Sequence, residues 1–324
     1  MDKLKKFEID CNTFGKKAKI KNCLLCGNKT AINSHSISKY FLNEIAGDKT
    51  VYASFRGENF QSFSFQKLHI NKASTRTNFC SKCDNTIFET LDNEGFNKNE
   101  QKMFLLAFRS ISSQLHTCKE VLKLMVNLKD VGNNIGENTL NMQQTKVYDA
   151  QKVFDFMKQN LLLRNYSSIK NNIIILDFAC NFIYSGCFPV IYDILGKNIH
   201  NNNNENLSPI FLNIFIQNGK TYIIISWQDD KKSKIYEKWF AQVNNMSIND
   251  KLNYLSKLAI FNSEDIYFSP QKYENYAVDI KELLGKFIKT NYCYEISDIY
   301  EFLNCNIVFN IFTDEFDDRL KYLF

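Results

Sequence analysis

Apolar residues recur at spacings of three and four over two stretches near the middle of the chain. This periodicity predicts amphipathic helices over about 98–125 and 146–163. The segment between them, 129–145, is polar and is predicted to be a loop. The residues of the first stripe are Phe104, Phe108, Ile111, Leu115, Cys118, Leu122 and Met125.

Beyond residue 166 the pattern changes to short apolar runs. The clearest pair flanks Asn218-Gly219, and apolar runs joined by Asn-Gly are typical of a β-hairpin. Strands are also predicted over 172–180 and 182–184, with an extended piece at 265–269. The predicted helices cover about 236–244, 248–261 and 278–289. This half is therefore predicted to be an antiparallel sheet with helices against it, which makes the fold class α+β.

The segment before the first long helix is less regular. Residues 1–22 are predicted to be a basic lead-in, and short hairpin strands are predicted around 51–55 and 60–68. Three units follow from these patterns. They are residues 1–97, which hold most of the chemistry-bearing motifs, a helical connector over 98–165, and an α+β unit of unknown role over 166–324.

Composition narrows the class of protein. The chain has 324 residues, of which 44% are hydrophobic and 23% charged, so it can bury a sizeable core. No apolar run reaches the roughly 18–20 residues needed to span a bilayer, and the charged N-terminus lacks the apolar region of a secretory signal. We therefore expect a soluble, cytoplasmic protein with no membrane partner.

Charge is spread unevenly along the chain. Residues 1–83 carry 15 Lys and Arg against 6 Asp and Glu, a net charge of +9, whereas residues 84–324 carry 25 against 29, a net charge of −4. A basic segment of this kind suits a polyanion, so nucleic acid is the expected partner. The alternative is a lysine-rich terminus that is simply solvated.

Four of the ten cysteines form two CxxC pairs, Cys23–Cys26 and Cys80–Cys83, both within the basic segment. In a reducing compartment, paired cysteines more often hold metal than form disulfides. Two such pairs can surround Zn²⁺ tetrahedrally, so a structural Zn²⁺ is predicted. The other six cysteines lie among apolar residues and are predicted to be ordinary buried side chains.

Further polar residues lie beside these pairs. Ser34-His35 follows the first pair, Asp84-Asn85 follows the second directly, and a helix is predicted to begin at the second pair. A neutral imidazole can accept a proton near pH 7, while carboxylate and amide oxygens are the ligands that Mg²⁺ prefers. Side chains of these types could therefore accept a proton and bind a hard cation.

The order CxxC, His, CxxC, Asp-Asn over about residues 20–95 resembles a treble-clef zinc finger, and in particular the HNH (ββα-metal) endonucleases whose motif is held by four cysteines. The resemblance implies that His35 is the general base and that Asp84 and Asn85 help to hold a catalytic Mg²⁺ or Mn²⁺. Ser34 stands where the family has Asp, and Asp84 stands where it has Asn. Serine is the poorer metal ligand, so the catalytic ion would lose an anionic contact.

The resemblance implies a nuclease that cleaves phosphodiester bonds, and a bacterial defence or mobile-element setting would suit it. Several alternatives stay open. The zinc module could bind nucleic acid or a protein partner without catalysis, or the zinc could be purely structural. His35 could make only a structural hydrogen bond or replace a cysteine at the zinc, and Asp84 could be the N-cap of the following helix. Arg109 and His116, seven apart on the first long helix, could line a cleft or face solvent.

Overall fold

The computed structural model describes residues 3–28, 30–56, 63–200, 208–262, 265–293, 302–303 and 305–322. It confirms the α+β class, with antiparallel sheets and helices packed on them. The helices are α1 (Lys3–Ala18), α2 (Lys39–Ile45), α3 (Ser81–Glu94), α4 (Glu100–Asp130), α5 (Glu137–Leu162), α6 (Ile235–Asn245), α7 (Ile248–Phe261), α8 (Pro270–Asn275) and α9 (Val278–Cys293).

The strands form three sheets in the described part of the chain. They are β1 (Ala31–His35), β2 (Thr50–Arg56), β3 (Phe63–His69), β4 (Thr75–Cys80), β5 (Ile169–Leu176), β6 (Phe182–Phe188), β7 (Ile210–Gln217), β8 (Lys220–Gln228), β9 (Asp265–Phe268), β10 (Phe309–Asn310) and β11 (Glu315–Phe316). Seven of them form one sheet in the order β3-β2-β9-β6-β7-β8-β5, while β1 pairs with β4 and β10 with β11.

The Asn-Gly hairpin is confirmed. Strands β7 and β8 pair antiparallel up to Gln217 and Lys220, so Asn218 and Gly219 alone form the turn. Both turn residues have positive φ, 54° and 74°, as a type I′ turn requires. Both strands are almost wholly buried, which explains their continuous apolar runs.

The large sheet contains strands from both ends of the chain. Strand β2 pairs with β9 through Tyr52 opposite Phe268 and Ala53 opposite Tyr267. The hairpin β2–β3 therefore belongs to the same sheet as β5–β9, although it lies in the predicted 1–97 unit and they lie in the predicted 166–324 unit. The three-unit division itself stays a prediction.

Helix α4 connects the small β1–β4 sheet with the large one. Its N-terminal half is buried on nearly every side, because it contacts β4 and α3 as well as β6, β7 and α5. Ser110 bonds Ser185 of β6 at 2.8 Å and Asn213 of β7 at 3.3 Å, and Arg109 next to it points toward α3. The predicted helix over 98–125 is thus present and serves as a central element.

Some elements differ from the sequence pattern. The lead-in over 1–22 is largely helix α1, whose Cys11 and Ala18 are buried and which packs along α4. Helix α5 begins at Glu137, inside the predicted loop. The pattern missed its first turns because Leu140 and Met142 are the only apolar residues between 137 and 145. Part of the strand predicted over 60–68 lies outside the described residues.

Candidate metal centre and the adjoining polar cluster

The first CxxC pair lies on a tight turn. The amide of Gly27 donates to the carbonyl of Cys23 at 2.9 Å, and the amide of Cys23 donates to the carbonyl of Asn28 at 2.7 Å. Gly27 has a φ of +75°, a conformation that glycine adopts without the steric cost of a side chain. This turn presents both sulfurs on one side of the backbone.

The second pair lies where a strand meets a helix. Cys80 ends β4 and Cys83 lies in the first turn of α3. Pairing of β1 with β4 places Ala31 opposite Cys80, and the amide of Leu24 donates to the carbonyl of Asn78 at 2.8 Å. These backbone contacts hold the end of β4 next to the first CxxC turn and so bring the two cysteine pairs together.

The four cysteine sulfurs lie within 4.8 Å of one another, and the sulfurs of Cys26 and Cys80 are 3.7 Å apart. This separation excludes a disulfide between those two sulfurs and is close to the ~3.8 Å edge of a tetrahedron with Zn–S bonds of about 2.3 Å. The four thiols could therefore bind a metal ion such as Zn²⁺. Cys23 and Cys80 are buried, whereas Cys83 is half-buried and Cys26 is exposed.

The backbone around Cys23 favours its thiolate. Burial alone would raise the pKa of Cys23, but hydrogen bonds from the backbone of Cys26, Cys80 and Leu25 lower it to about 7. Because the thiolate is the metal ligand, this environment suits a metal centre. Burial and the neighbouring sulfurs raise the pKa of the Cys83 thiol.

Of the six remaining cysteines, four are buried as predicted. They are Cys11, Cys118, Cys180 and Cys187. Cys305 is only half-buried and contacts Lys257, and the side chain of Cys293 lies outside the described residues.

His35 is the last residue of β1 and is half-buried. Its Nε2 lies 3.1 Å from the carbonyl oxygen of Ile70. A carbonyl only accepts hydrogen bonds, so the neutral ring carries its proton on Nε2 and keeps a lone pair on Nδ1. Burial lowers the pKa of His35, and Arg109 lowers it further, against the opposing effects of Ile70 and Asp92.

Asp84 lies in the first turn of α3, and the N-cap position belongs to Cys80. The N-cap alternative for Asp84 is therefore wrong. Its Oδ1 is buried without a hydrogen-bond partner among the described residues, and burial raises the pKa of this carboxyl group. Asn85, one position on, is exposed.

Arg109 of α4 and Asp92 of α3 form a two-pronged salt bridge with N–O distances of 2.7 and 2.6 Å. The guanidinium is 3% exposed and stacks 4.1 Å above the ring of Phe88. Burial alone would raise the pKa of Asp92, but Arg109 and a hydrogen bond with Ser38 hold it below its usual range.

We call His35, Asp84, Asp92 and Arg109 the polar cluster. The charges of Arg109 and Asp92 shift the pKa of both His35 and Asp84, which groups these four side chains electrostatically. Asp92 was missed from the sequence. The signal that could have found it is the spacing of Asp84, Phe88 and Asp92, which lie four apart and therefore on one face of α3.

Ser34 and His116 are engaged in contacts outside the polar cluster. The Ser34 hydroxyl is buried and donates to the carbonyl of Arg76 at 3.2 Å, which fastens β1 to β4. His116 and Arg109 are both buried, so neither faces solvent, and His116 pairs with Glu120 at 2.9 Å on α4. His69, another histidine of the basic segment, is exposed, and its Nδ1 accepts from the amide of Asn71.

Comparison of the chain with protein-family models, with curated proteins and with solved structures finds no significant match. Among the described helices, including the 31-residue α4, none combines the length and apolar character needed to cross a membrane.

Proposed function

We propose that the segment around residues 20–95 is a zinc-stabilised, treble-clef, HNH-like nuclease unit that hydrolyses phosphodiester bonds of nucleic acid. The order of elements supports this proposal. A CxxC turn is followed by β1, which pairs with β4, and the second pair lies where β4 meets α3, with Cys80 ending the strand and Cys83 in the first turn of the helix. One zinc ion on Cys23, Cys26, Cys80 and Cys83 would hold these parts together, as in a structural Cys₄ site.

The observation that carries the proposal is the hydrogen bond between His35 Nε2 and Ile70. It orients the ring and leaves Nδ1 as the base, and the lowered pKa keeps the imidazole neutral at pH 7. His35 would take a proton from the attacking water at Nδ1. The new P–O bond forms from that water, the ester P–O bond breaks, and the leaving alkoxide takes a proton from solvent.

Asp84 is the residue that would hold a catalytic cation. Its buried Oδ1 lacks a partner among the described residues, whereas both oxygens of Asp92 are occupied by Arg109. Mg²⁺ is commonly bound through one or two carboxylates, with waters and substrate phosphates completing its shell. Such a cation would stabilise the negative charge that develops on the phosphate. Asn85 is exposed beside Asp84 and would add an amide oxygen.

A second candidate is a zinc module that binds nucleic acid without cleaving it. The observation that favours it is the Ser34 hydroxyl, which is buried against the carbonyl of Arg76. Ser34 stands where the HNH endonucleases have an Asp that binds the catalytic cation. Its hydroxyl is neutral and already bonds the neighbouring strand β4. This candidate predicts salt-sensitive binding and no cleavage.

The test is nicking of supercoiled plasmid by the full chain with added Mg²⁺ or Mn²⁺. The His35→Ala variant should lose about 10²–10⁴-fold in rate, the usual contribution of a general base. His69→Ala is the matched control, since His69 is an exposed histidine of the same segment that lies outside the polar cluster. Equal nicking by wild type and His35→Ala would reject the base, and no cation-dependent nicking by wild type would favour the second candidate.

A further inference from the structure

A second feature adjoins Cys23. The end of α1, the segment 19–24 and the C-terminal half of α4 line an open cleft of about 660 Å³. Five lysines line it, together with Cys23 and Leu24 of the first CxxC turn. We call it the five-lysine cleft, after Lys17, Lys19, Lys21, Lys119 and Lys123.

The walls of the five-lysine cleft are held by specific contacts. The amide of Ile20 donates to Glu120 of α4 at 3.1 Å, and the hydroxyl of Thr77 donates to the carbonyl of Ile20 at 2.6 Å. The carbonyl of Lys21 accepts from the amide of Ala31, the first residue of β1, at 3.1 Å. The segment that carries Lys19 and Lys21 is thus fastened to α4 and to both strands of the small sheet.

The charge of the cleft is not neutralised from within. Among the described residues, none of the five ammonium groups has a carboxylate within salt-bridge distance. Glu120 is the nearest acid along α4, and its carboxylate already accepts from Ile20 and contacts His116. Burial lowers the pKa of Lys119, and Asp155 acts in the opposite direction.

The donor set points to phosphate. Lysine ammonium groups bind phosphate oxygens as point charges, whereas base edges are read most often by arginine forks or amides, and bases stack on aromatic rings. The lining contains neither arginine nor an aromatic ring, and its single amide side chain is that of Asn22. The cleft is therefore suited to a phosphodiester backbone rather than to reading bases.

We propose that the five-lysine cleft binds the phosphate backbone of nucleic acid and positions it beside the CxxC turn. The choice of nucleic acid among phosphate polyanions rests on the proposed function. Binding in the cleft is nevertheless measurable without cleavage, so the two proposals can fail separately.

The test measures fluorescence anisotropy of a labelled DNA duplex with the full chain, in a salt series and without added divalent cation. The Lys19→Gln/Lys21→Gln/Lys123→Gln variant removes three exposed cleft lysines. Each phosphate contact contributes about 0.9 to the slope of log K against log salt, so the slope should fall by about 2–3 and the affinity by at least about tenfold. An RNA hairpin run in parallel reports whether the backbone type matters.

The matched control is Lys5→Gln/Lys6→Gln/Lys16→Gln, which removes the same charge from exposed positions of α1 outside the cleft. Zinc content and unfolding midpoint verify that both variants fold. The proposal is overturned if both variants weaken binding equally, if wild type shows no salt-dependent binding, or if tripolyphosphate displaces the duplex at stoichiometric concentration. If binding depends on the cleft lysines but the protein never nicks plasmid, the cleft proposal stands and only the proposed nuclease activity is rejected.

Discussion

Arg109 and Asp92 join α4 to α3 through two parallel hydrogen bonds of 2.7 and 2.6 Å. The guanidinium is buried and lies against Phe88, so the salt bridge holds α3, the helix that bears Cys83, against α4. The same pair sets the electrostatic environment of His35 and Asp84. One salt bridge thus serves both the packing of α3 and the electrostatics of the polar cluster.

Replacing Asp92 with Asn should destabilise the protein, because it leaves the buried charge of Arg109 without a counterion. We expect a loss of about 2–3 kcal/mol in the free energy of unfolding, below the range for a fully buried pair because Asp92 is partly exposed. Urea unfolding measures it. Glu89→Gln on the exposed face of α3 is the control and should cause no measurable loss. Adding Arg109→Met to Asp92→Asn should recover stability, and additive losses would contradict this account.

Purified, reduced protein should contain about one zinc per chain, because four thiolates complete one tetrahedral site. Cys26→Ser should lose most of its zinc, and a strong chelator should increase hydrogen exchange across β1, β4 and the start of α3 in wild type. Cys305→Ser is the matched control, since Cys305 is half-buried and lies outside the group of four sulfurs. Elemental analysis that finds no metal in wild type would remove the basis of the centre.

The protonation of His35 should occur below pH 6.5, because burial and Arg109 lower its pKa. The unfolded chain then binds the proton more readily, so His35 lowers stability as the pH falls below about 6.5 and has no effect well above it. NMR titration of the histidine signals, with His35→Gln to assign the resonance, measures the pKa. The nicking rate should fall by about tenfold per pH unit below that value. A titration above 6.5 would contradict the assignment.

Asp265 fastens the small sheet to the large one. Its side chain is 4% exposed and accepts from Arg76 of β4 at 3.3 Å, from Ser113 of α4 at 2.9 Å and from Tyr267 at 2.9 Å. Asp265→Ala should cost about 2–3 kcal/mol, since it leaves three donors without their acceptor while Arg76 stays partly hydrated. Thermal and urea unfolding measure the loss. Asp177→Ala, which removes an exposed carboxylate paired with Lys220, should leave stability unchanged.

Local signals in the sequence predicted much of the fold. The periodic apolar positions located α4 and α7, and the Asn-Gly pair located the β7–β8 turn. Helix α1 was missed because its segment is rich in lysine, and only a few apolar residues mark the face that packs along α4. The short helices α2 and α8 were missed for a related reason, since one or two turns carry too few positions to define a period.

The sequence by itself identified the four candidate metal ligands, because each CxxC pair places two thiols on one turn whatever surrounds it. It also placed His35 and Asp84 beside those pairs. Only the tertiary structure decided that Tyr52 faces Phe268 and that Arg109 binds Asp92. These contacts join residues that are distant along the chain, and no local periodicity records which strand or helix face will meet which. The five-lysine cleft has the same origin, since α1 and α4 meet there only in the folded chain.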